Sequence, residues 1–318
     1  MIGRRKALAA FVAVCLIWGT TYLAIRVTLE TIPPFLMSGL RWTTAGVLFT
    51  AALRAGGRRL PAWHVWPPIA LISFLLLVVG NGAVVWAEQF VSSGLTAVFI
   101  ASSPFWMVAA EATFRGERVT RRALVGLTVG FTGILLLTWP EIGSGTTPGF
   151  LGGVIALQIA CAAWAMGSSW SKRNSQHEDV FASTALQMLL AGVMFLGIAS
   201  AAGEWPRLHF STRTIVALSY LTLVGSIGGF AAYAYALKHL PVALVSLYAY
   251  INPVIAVALG VLLLGEPFTF RMAAAAAIVL VGVALVRSSS PAASGEAERR
   301  APWWRIARRR RSTMEPVQ

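Results

Sequence analysis

Residues 97–120 read AVFIASSPFWMVAAEATFRGERVT, and residues 246–269 read SLYAYINPVIAVALGVLLLGEPFT. Each is an apolar run with a proline inside it, and each ends on G-E-x-x-T. A shift of 149 residues lays Trp86–Thr138 over Tyr235–Arg287 without a gap, placing Leu95 on Leu244, Pro104 on Pro253, Gly116 on Gly265, Glu117 on Glu266, Thr120 on Thr269, Arg122 on Arg271 and Gly133 on Gly282. Upstream, a shift of 146 lays Cys15 on Cys161, Trp18 on Trp164 and Arg26 on Lys172. Apolar coincidences are cheap, but G-E-x-x-T-x-R is not, so the chain reads as two copies of one unit.

The solvent for that unit is lipid. Of 318 residues, 57% are apolar and 12% charged, at a mean hydropathy of +0.71, which a soluble domain of this length would not carry. A helix needs roughly 20 residues to cross a hydrocarbon core. Cutting the sequence at its charges predicts ten helices: Ala7–Ile25, Phe35–Leu53, Val65–Ala87, Ser92–Thr113, Ala123–Thr138, Leu151–Trp170, Val180–Ala201, Thr214–Ala236, Pro241–Leu264 and Arg271–Val286. The opening MIGRRKALAAFVAVCLIWG has the charged start of a signal peptide, but nine more spans follow, so it is expected to be an uncleaved first helix.

Basic residues predict the orientation, since Lys and Arg gather in cytoplasmic loops. With both termini inside, 21 of the 26 basic residues fall inside, leaving Arg26, Arg41, Arg207, Arg213 and Arg271. The net charge of +14 then belongs to short turns between spans, not to a nucleic-acid face. Five helices per copy is odd, so the second copy enters the membrane from the opposite side. The fold class is therefore expected to be an all-α polytopic membrane protein whose ten transmembrane helices form two inverted five-helix repeats, residues 1–140 and 141–287, with a basic disordered tail over 288–318. Inverted repeats are an architecture of secondary transporters, with the pathway between the halves.

The prolines point to a site. Pro104 and Pro253 donate no backbone hydrogen bond, so the carbonyls of Ile100 and Ala249 lose their helical partners, a costly state in lipid unless protein, water or ligand satisfies them. Ser102, Ser103, Tyr248, Tyr250 and Asn252 stand beside these breaks. Gly80 and Gly229 match at the same shift, with Asn81 and Ser226 nearby, and are read as loosened positions in helices three and eight. Trp18 and Trp164 lie mid-helix, away from the interfacial belts, where an indole N–H wants a partner. Tyr22, Trp86, Tyr233 and Tyr235 extend the aromatic lining. Close helix packing is an equal account of any one of these residues taken alone.

Charges near the hydrocarbon core need a reason. Arg26, Glu30, Arg41 and Glu88 fall near one outer level, and Glu88 is expected to pair with Arg41 or Arg26 as a gate, as a coupling group or to bind a substrate carboxylate, with a plain structural pair as the alternative. Glu111 and Arg115 are expected to form a local pair four residues apart. Two cysteines and four scattered histidines offer no metal-ligand spacing, and no nucleotide loop, HExxH or GxSxG occurs, so no cofactor, metal or enzymatic activity is expected.

WGTTYLAIR (18–26), PPFLMSGLRW (33–42), VGNGAVVWAEQ (79–89), the Ser-Ser-Pro of helix four, GSIGGFAAYAYAL (225–237) and YAYINPVIAVALGVLLLGEPFT (248–269) resemble the EamA family of the drug/metabolite transporter superfamily, and in particular its YedA-like branch. The resemblance covers residues 8–287 in order. It implies a bacterial inner-membrane transporter with cytoplasmic termini and a central cavity holding Trp18, Asn81, Ser103, Trp164, Tyr248 and Asn252. It also implies export of a small solute such as an amino acid or related metabolite, with a cationic-toxin exporter or a passive channel of the same fold as alternatives. The expected partners are that solute and the bilayer, with Trp303, Trp304 and Arg308–Arg311 of the tail suited to anionic lipid.

Overall fold

The computed structural model describes residues 2–115, 120–144, 148–174, 179–240, 245 and 248–288, and all the regular structure among them is helical. The helices are α1 (Ile2–Thr28), α2 (Pro34–Ala55), α3 (63–87), α4 in two pieces, α4a (Ser93–Ile100) and α4b (Ser103–Arg115), α5 (Arg121–Ser144), α6 (Phe150–Asn174), α7 (Val180–Ala201), α8 (212–239), α9 (Tyr248–Leu264) and α10 (Phe270–Ser288). The stretches Arg5–Thr28, Trp63–Ala87, Ser93–Ala110, Phe150–Ser171, Val180–Ala201 and Thr212–Tyr233 are long and apolar enough to cross a membrane, and Leu124–Trp139, Ile251–Leu264 and Phe270–Val286 are shorter apolar helices. Gly116, Glu117, Pro241–Leu244, the side chains of Glu111, Arg115 and Tyr250, and the tail from 289 onward lie outside the described residues.

Loop contacts order the bundle. Glu30 pairs with Arg213 at 3.1 Å, and the His209 N–H donates to the Thr31 carbonyl, joining the α1–α2 and α7–α8 connections. Glu266 joins the α9–α10 connection to the start of α4a. At the other end, Arg58 meets Asp179 at 3.0 Å, joining the α2–α3 and α6–α7 connections. One end therefore carries Glu30, Glu204 and Glu266, and the other carries Arg54, Arg58, Arg59, Arg121 and Arg122.

Within the bundle α1 packs on α8 and α9, and α6 packs on α3 and α4. The remaining principal pairs are α2 with α7, α5 with α10 and α4a with α9. Moving every helix five places along the ten returns the same pairs. Glycine brings several of these backbones close: Gly126 and Gly133 of α5 face α10, Gly282 of α10 lies against the Gly130 backbone, and Gly192 of α7 lies against the Thr43 backbone of α2.

The repeated motif now has a physical reason in its second copy. Gly265 takes φ +64°, a left-handed conformation that ends α9 at no steric cost. Glu266 turns back and accepts from the Ser93 N–H at 2.8 Å and the Gly94 N–H at 3.1 Å, filling the first, otherwise unpaired, donors of α4a. The hydroxyl of Thr269 accepts from the Met272 N–H and starts α10. Glu204 performs the same service for α2, accepting from the Leu36 N–H at 2.7 Å.

Candidate functional site

The loosening expected at Gly80 and Gly229 is a change of helix type. Phe74–Asn81 in α3, which includes Gly80, and Leu221–Gly228 in α8, which ends just before Gly229, are π-helical, each eight residues long. A π-helical stretch inside an α-helix widens the turn and releases carbonyls from the usual ladder, and such stretches gather at functional sites. Two side chains use the second one. Trp18 Nε1 donates to the Gly225 carbonyl at 3.3 Å, and Ser226 Oγ donates to the Leu221 carbonyl while accepting from Arg41 Nε at 2.9 Å.

Around Trp18 the aromatic residues of α8 and α9 close into a box. Its ring lies 5.6 Å from Phe230, 5.1 Å from Tyr233 and 5.0 Å from Tyr248, and the two tyrosines lie edge to face at 5.9 Å. Asn252, next to Pro253 in α9, lies 3.0 Å from the Tyr248 carbonyl and 3.2 Å from the Cys15 carbonyl, two acceptors that assign its amide nitrogen to that side and let one side chain tie the proline helix to α1.

The other half has matching parts. Trp164 packs over Gly80, where an added methyl would stand 3.6 Å from the ring. Ser103, the position equivalent to Asn252, lies 3.4 Å from Cys161 Sγ, as Asn252 lies against Cys15. Helix four breaks between Ile100 and Ser103, so Pro104 occupies the first turn of α4b, where its missing donor would be unpaired in any case. The carbonyl of Ile100 is not left open as the sequence suggested. Ser103 Oγ donates to it at 2.6 Å, and Ser102 Oγ donates to Phe99 at 2.7 Å, because a seryl hydroxyl is short enough to reach back one turn.

Three expectations change. Trp86 stacks on Phe90 at 4.9 Å and lies over Gly152, away from the box, and Tyr235 stacks on His239 at 4.3 Å. Tyr22, one turn along α1 from Trp18, packs against the apolar cluster that includes Val84, Ala87, Phe99 and Leu157. The ion pair of Glu88 with Arg41 or Arg26 is not made among the described residues. Arg26 donates to the main-chain carbonyl of Glu88, and Arg41 is drawn to Ser226 and over the Trp42 ring.

The EamA-like transporter family matches residues 5–139 and 151–288, nearly the whole described chain. The chain belongs to that family. The inner membrane transporter YedA of Escherichia coli K12, itself uncharacterized, is 37% identical over 278 residues, which cover 87% of this chain and 89% of that one. The uncharacterized transporter YoaV of Bacillus subtilis is 24% identical over 87% of this chain and 95% of its own. A crystal structure 23% identical in sequence superposes with a TM-score of 0.62, covering 89% of this chain and 97% of that chain, a likeness of fold. The kinship supports membrane transport and indicates a transporter rather than an enzyme.

In this EamA-like transporter, sequence reasoning missed Phe230, Gln158 and Trp106. Trp106 Nε1 donates to Gln158 Oε1 at 3.0 Å, while Gln158 Nε2 and Asn81 Oδ1 are buried with no partner among the described residues. An amide in the middle of an apolar span was the signal available for Gln158. Gly229 must remain glycine, since a Cβ there would collide with Trp18 Nε1. Gly229→Ala is expected to displace the indole from the Gly225 carbonyl and to lower both the thermal unfolding midpoint and solute flux. Gly80→Ala would meet the Trp164 ring at an ordinary 3.6 Å and the Leu75 carbonyl oxygen at a tighter 3.1 Å, and is expected to lower the midpoint less than Gly229→Ala does. Equal behaviour of the two variants would contradict this packing.

Proposed function

We propose that the chain is a secondary transporter that works by alternating access, built of two five-helix units of inverted topology over residues 1–140 and 141–287. Both termini are cytoplasmic, and the end carrying Glu30, Glu204 and Glu266 faces outward. The cargo is a small amphipathic metabolite such as an amino acid, moved out of the cell. The observation that carries this reading is the pair of matching half-sites, Trp18 on Gly229 with Asn252 at Cys15, and Trp164 on Gly80 with Ser103 at Cys161. Two halves with equivalent contacts can exchange roles at similar energy, which is what inward-open and outward-open states require.

Several further features support it. The helix pairs are unchanged when each helix is moved five places along, and basic residues prevail at the end assigned to the cytoplasm. The site is lined chiefly by aromatic, hydroxyl and amide side chains, those of Trp18, Tyr22, Asn81, Ser102, Ser103, Trp164, Tyr248 and Asn252. Trp86 stands nearer the outer mouth, and Arg26, Arg41 and Glu88 at the outer level serve as a gate, as coupling groups or to meet a charged group of the substrate. At the same end an open recess of about 340 Å³ is lined by Glu30, Pro33, Gln89, Arg207 and His209, a vestibule for released solute.

The test is counterflow. Liposomes holding the purified protein, preloaded with one unlabelled amino acid, are expected to accumulate the same labelled solute transiently and saturably. Flux that never saturates and shows no counterflow would instead mark a channel. Reporter fusions after residue 145 and at the tail are expected on opposite sides of the membrane; the same side for both would sink the inverted repeat.

A further inference from the structure

One face of α1 carries Trp18, Tyr22 and Arg26 at intervals of four residues, each about 6 Å along the helix from the last. Trp18 belongs to the aromatic box. Beyond it lie two ionisable side chains that the fold has buried and left unmatched. Arg41 is 4% exposed and Glu88 is 0% exposed. A charge taken from water is costly unless it is paired and hydrogen-bonded. Arg41 has one hydrogen bond, from Nε to the neutral Ser226 hydroxyl, and its Nη1 has no partner among the described residues. Neither carboxylate oxygen of Glu88 has a partner among them either.

The neighbouring charges are already committed. Arg26 donates to the Glu88 carbonyl, and Glu266 is held by the N–H groups of Ser93 and Gly94. Arg41 Nη2 lies beside Gly225, which packs on Thr21, and Glu88 is met by Arg26, so both groups reach the same stretch of α1, yet they form no ion pair with each other. A guanidinium donor and a carboxyl group are thus both unused: Arg41 is joined to the aromatic box through the Gly225–Ser226 turn, where Trp18 holds the first residue and Arg41 the second, and Glu88 lies further along the same face of α1, at Arg26. A simple cation or a simple anion would satisfy one of the two and leave the other stranded. A ligand that bears both charges satisfies both at once.

We propose that Arg41 and Glu88 together bind the zwitterionic head group of the cargo, its carboxylate on the Arg41 guanidinium and its ammonium on Glu88, with the apolar remainder against Trp18, Tyr233 and Tyr248. The inference rests on the transporter reading above and narrows its solute to compounds that carry both charges. Planar donors on arginine match a carboxylate, and a buried polar site rejects an analogue that leaves one of its groups unpaired.

The experiment uses the full chain in detergent, with binding of labelled phenylalanine, leucine and serine each challenged by the matching amine, which lacks the carboxylate, and the matching acid, which lacks the ammonium. At least one amino acid is expected to bind, with its amine and its acid each weaker by at least about tenfold. In Arg41→Gln the amine is expected to compete as well as the amino acid, and in Glu88→Gln the acid is expected to do so. The wild-type panel stands without the variants if either fails to fold. Amine or acid competing as well as the amino acid in the wild type overturns the inference. So does wild-type discrimination that both folded variants retain. Absence of binding by all three amino acids, together with saturable counterflow of a quaternary ammonium dye in liposomes, sinks the inference and leaves the carrier standing. Silence in both assays sinks both.

Discussion

Gly282→Val is expected to yield little folded protein. A Cβ at this position would stand 2.6 Å from Gly130 Cα and 2.7 Å from the Gly126 carbonyl oxygen, so it meets backbone, which has no rotamer by which to yield. The α5–α10 interface is built on this approach, with Gly126 and Gly130 one turn apart on α5 as in small-residue helix pairs of membranes. Between hydrocarbon-solvated helices the attraction is close packing, so separating the backbones removes the contact that holds α10 to the bundle. Overpacking a core costs typically about 1–3 kcal/mol and more when the backbone must move. The measurement is the monodisperse yield and thermal midpoint in detergent, beside Gly197→Val in α7, where a Cβ meets nothing within 4 Å. Comparable loss in both variants would refute the role given to this interface.

Glu266→Ala is expected to cost about 1–3 kcal/mol, because it leaves the N–H groups of Ser93 and Gly94 without their acceptor at a helix start whose side chains are buried. Glu266→Gln keeps an acceptor but loses the charge that favours a helix N-terminus, and is expected to fall between the two. The effect reaches beyond stability. Glu266 and Glu204 tie connections late in the chain to the starts of α4a and α2, early in the chain, at the end proposed to face outward. Loosening either tie favours opening there. Single cysteines at Ser93 or Gly94 in a background lacking Cys15 and Cys161, probed from outside with a membrane-impermeant thiol reagent, are expected to react faster with Glu266→Ala. Unchanged labelling would confine Glu266 to a structural cap.

Much of this protein was legible residue by residue. Transfer of a side chain into lipid is a local free energy that sums along the chain, so hydropathy alone located the helical spans to within a few residues for most of them. The repeat was legible for the same reason that G-E-x-x-T could later be explained: glycine, glutamate and threonine each answer a fixed backbone need at a helix end. The aromatic and polar residues near the breaks were also picked out from sequence, and the fold gathers Trp18 and Tyr248 into the aromatic box, with Asn252 hydrogen-bonded to the Tyr248 carbonyl beside it.

What the sequence did not contain was rotation and partnership. Whether a freed carbonyl faces a cavity or is met by its own neighbour depends on side-chain reach within one turn, and Ser103 closes the Ile100 carbonyl that a proline rule alone would leave open. Whether Trp86 joins the box depends on the angle of α3 about its axis, which the π-helical stretch Phe74–Asn81 resets by widening the turn. Whether Glu88 meets Arg41 depends on competitors contributed by other helices, Ser226 from α8 and Arg26 from α1. Spans and repeats are properties of single segments in contact with solvent, so the sequence by itself determined them. The pairing of buried polar groups is decided among several helices at once, and only the tertiary structure left Arg41 Nη1 and the Glu88 carboxyl buried without partners among the described residues.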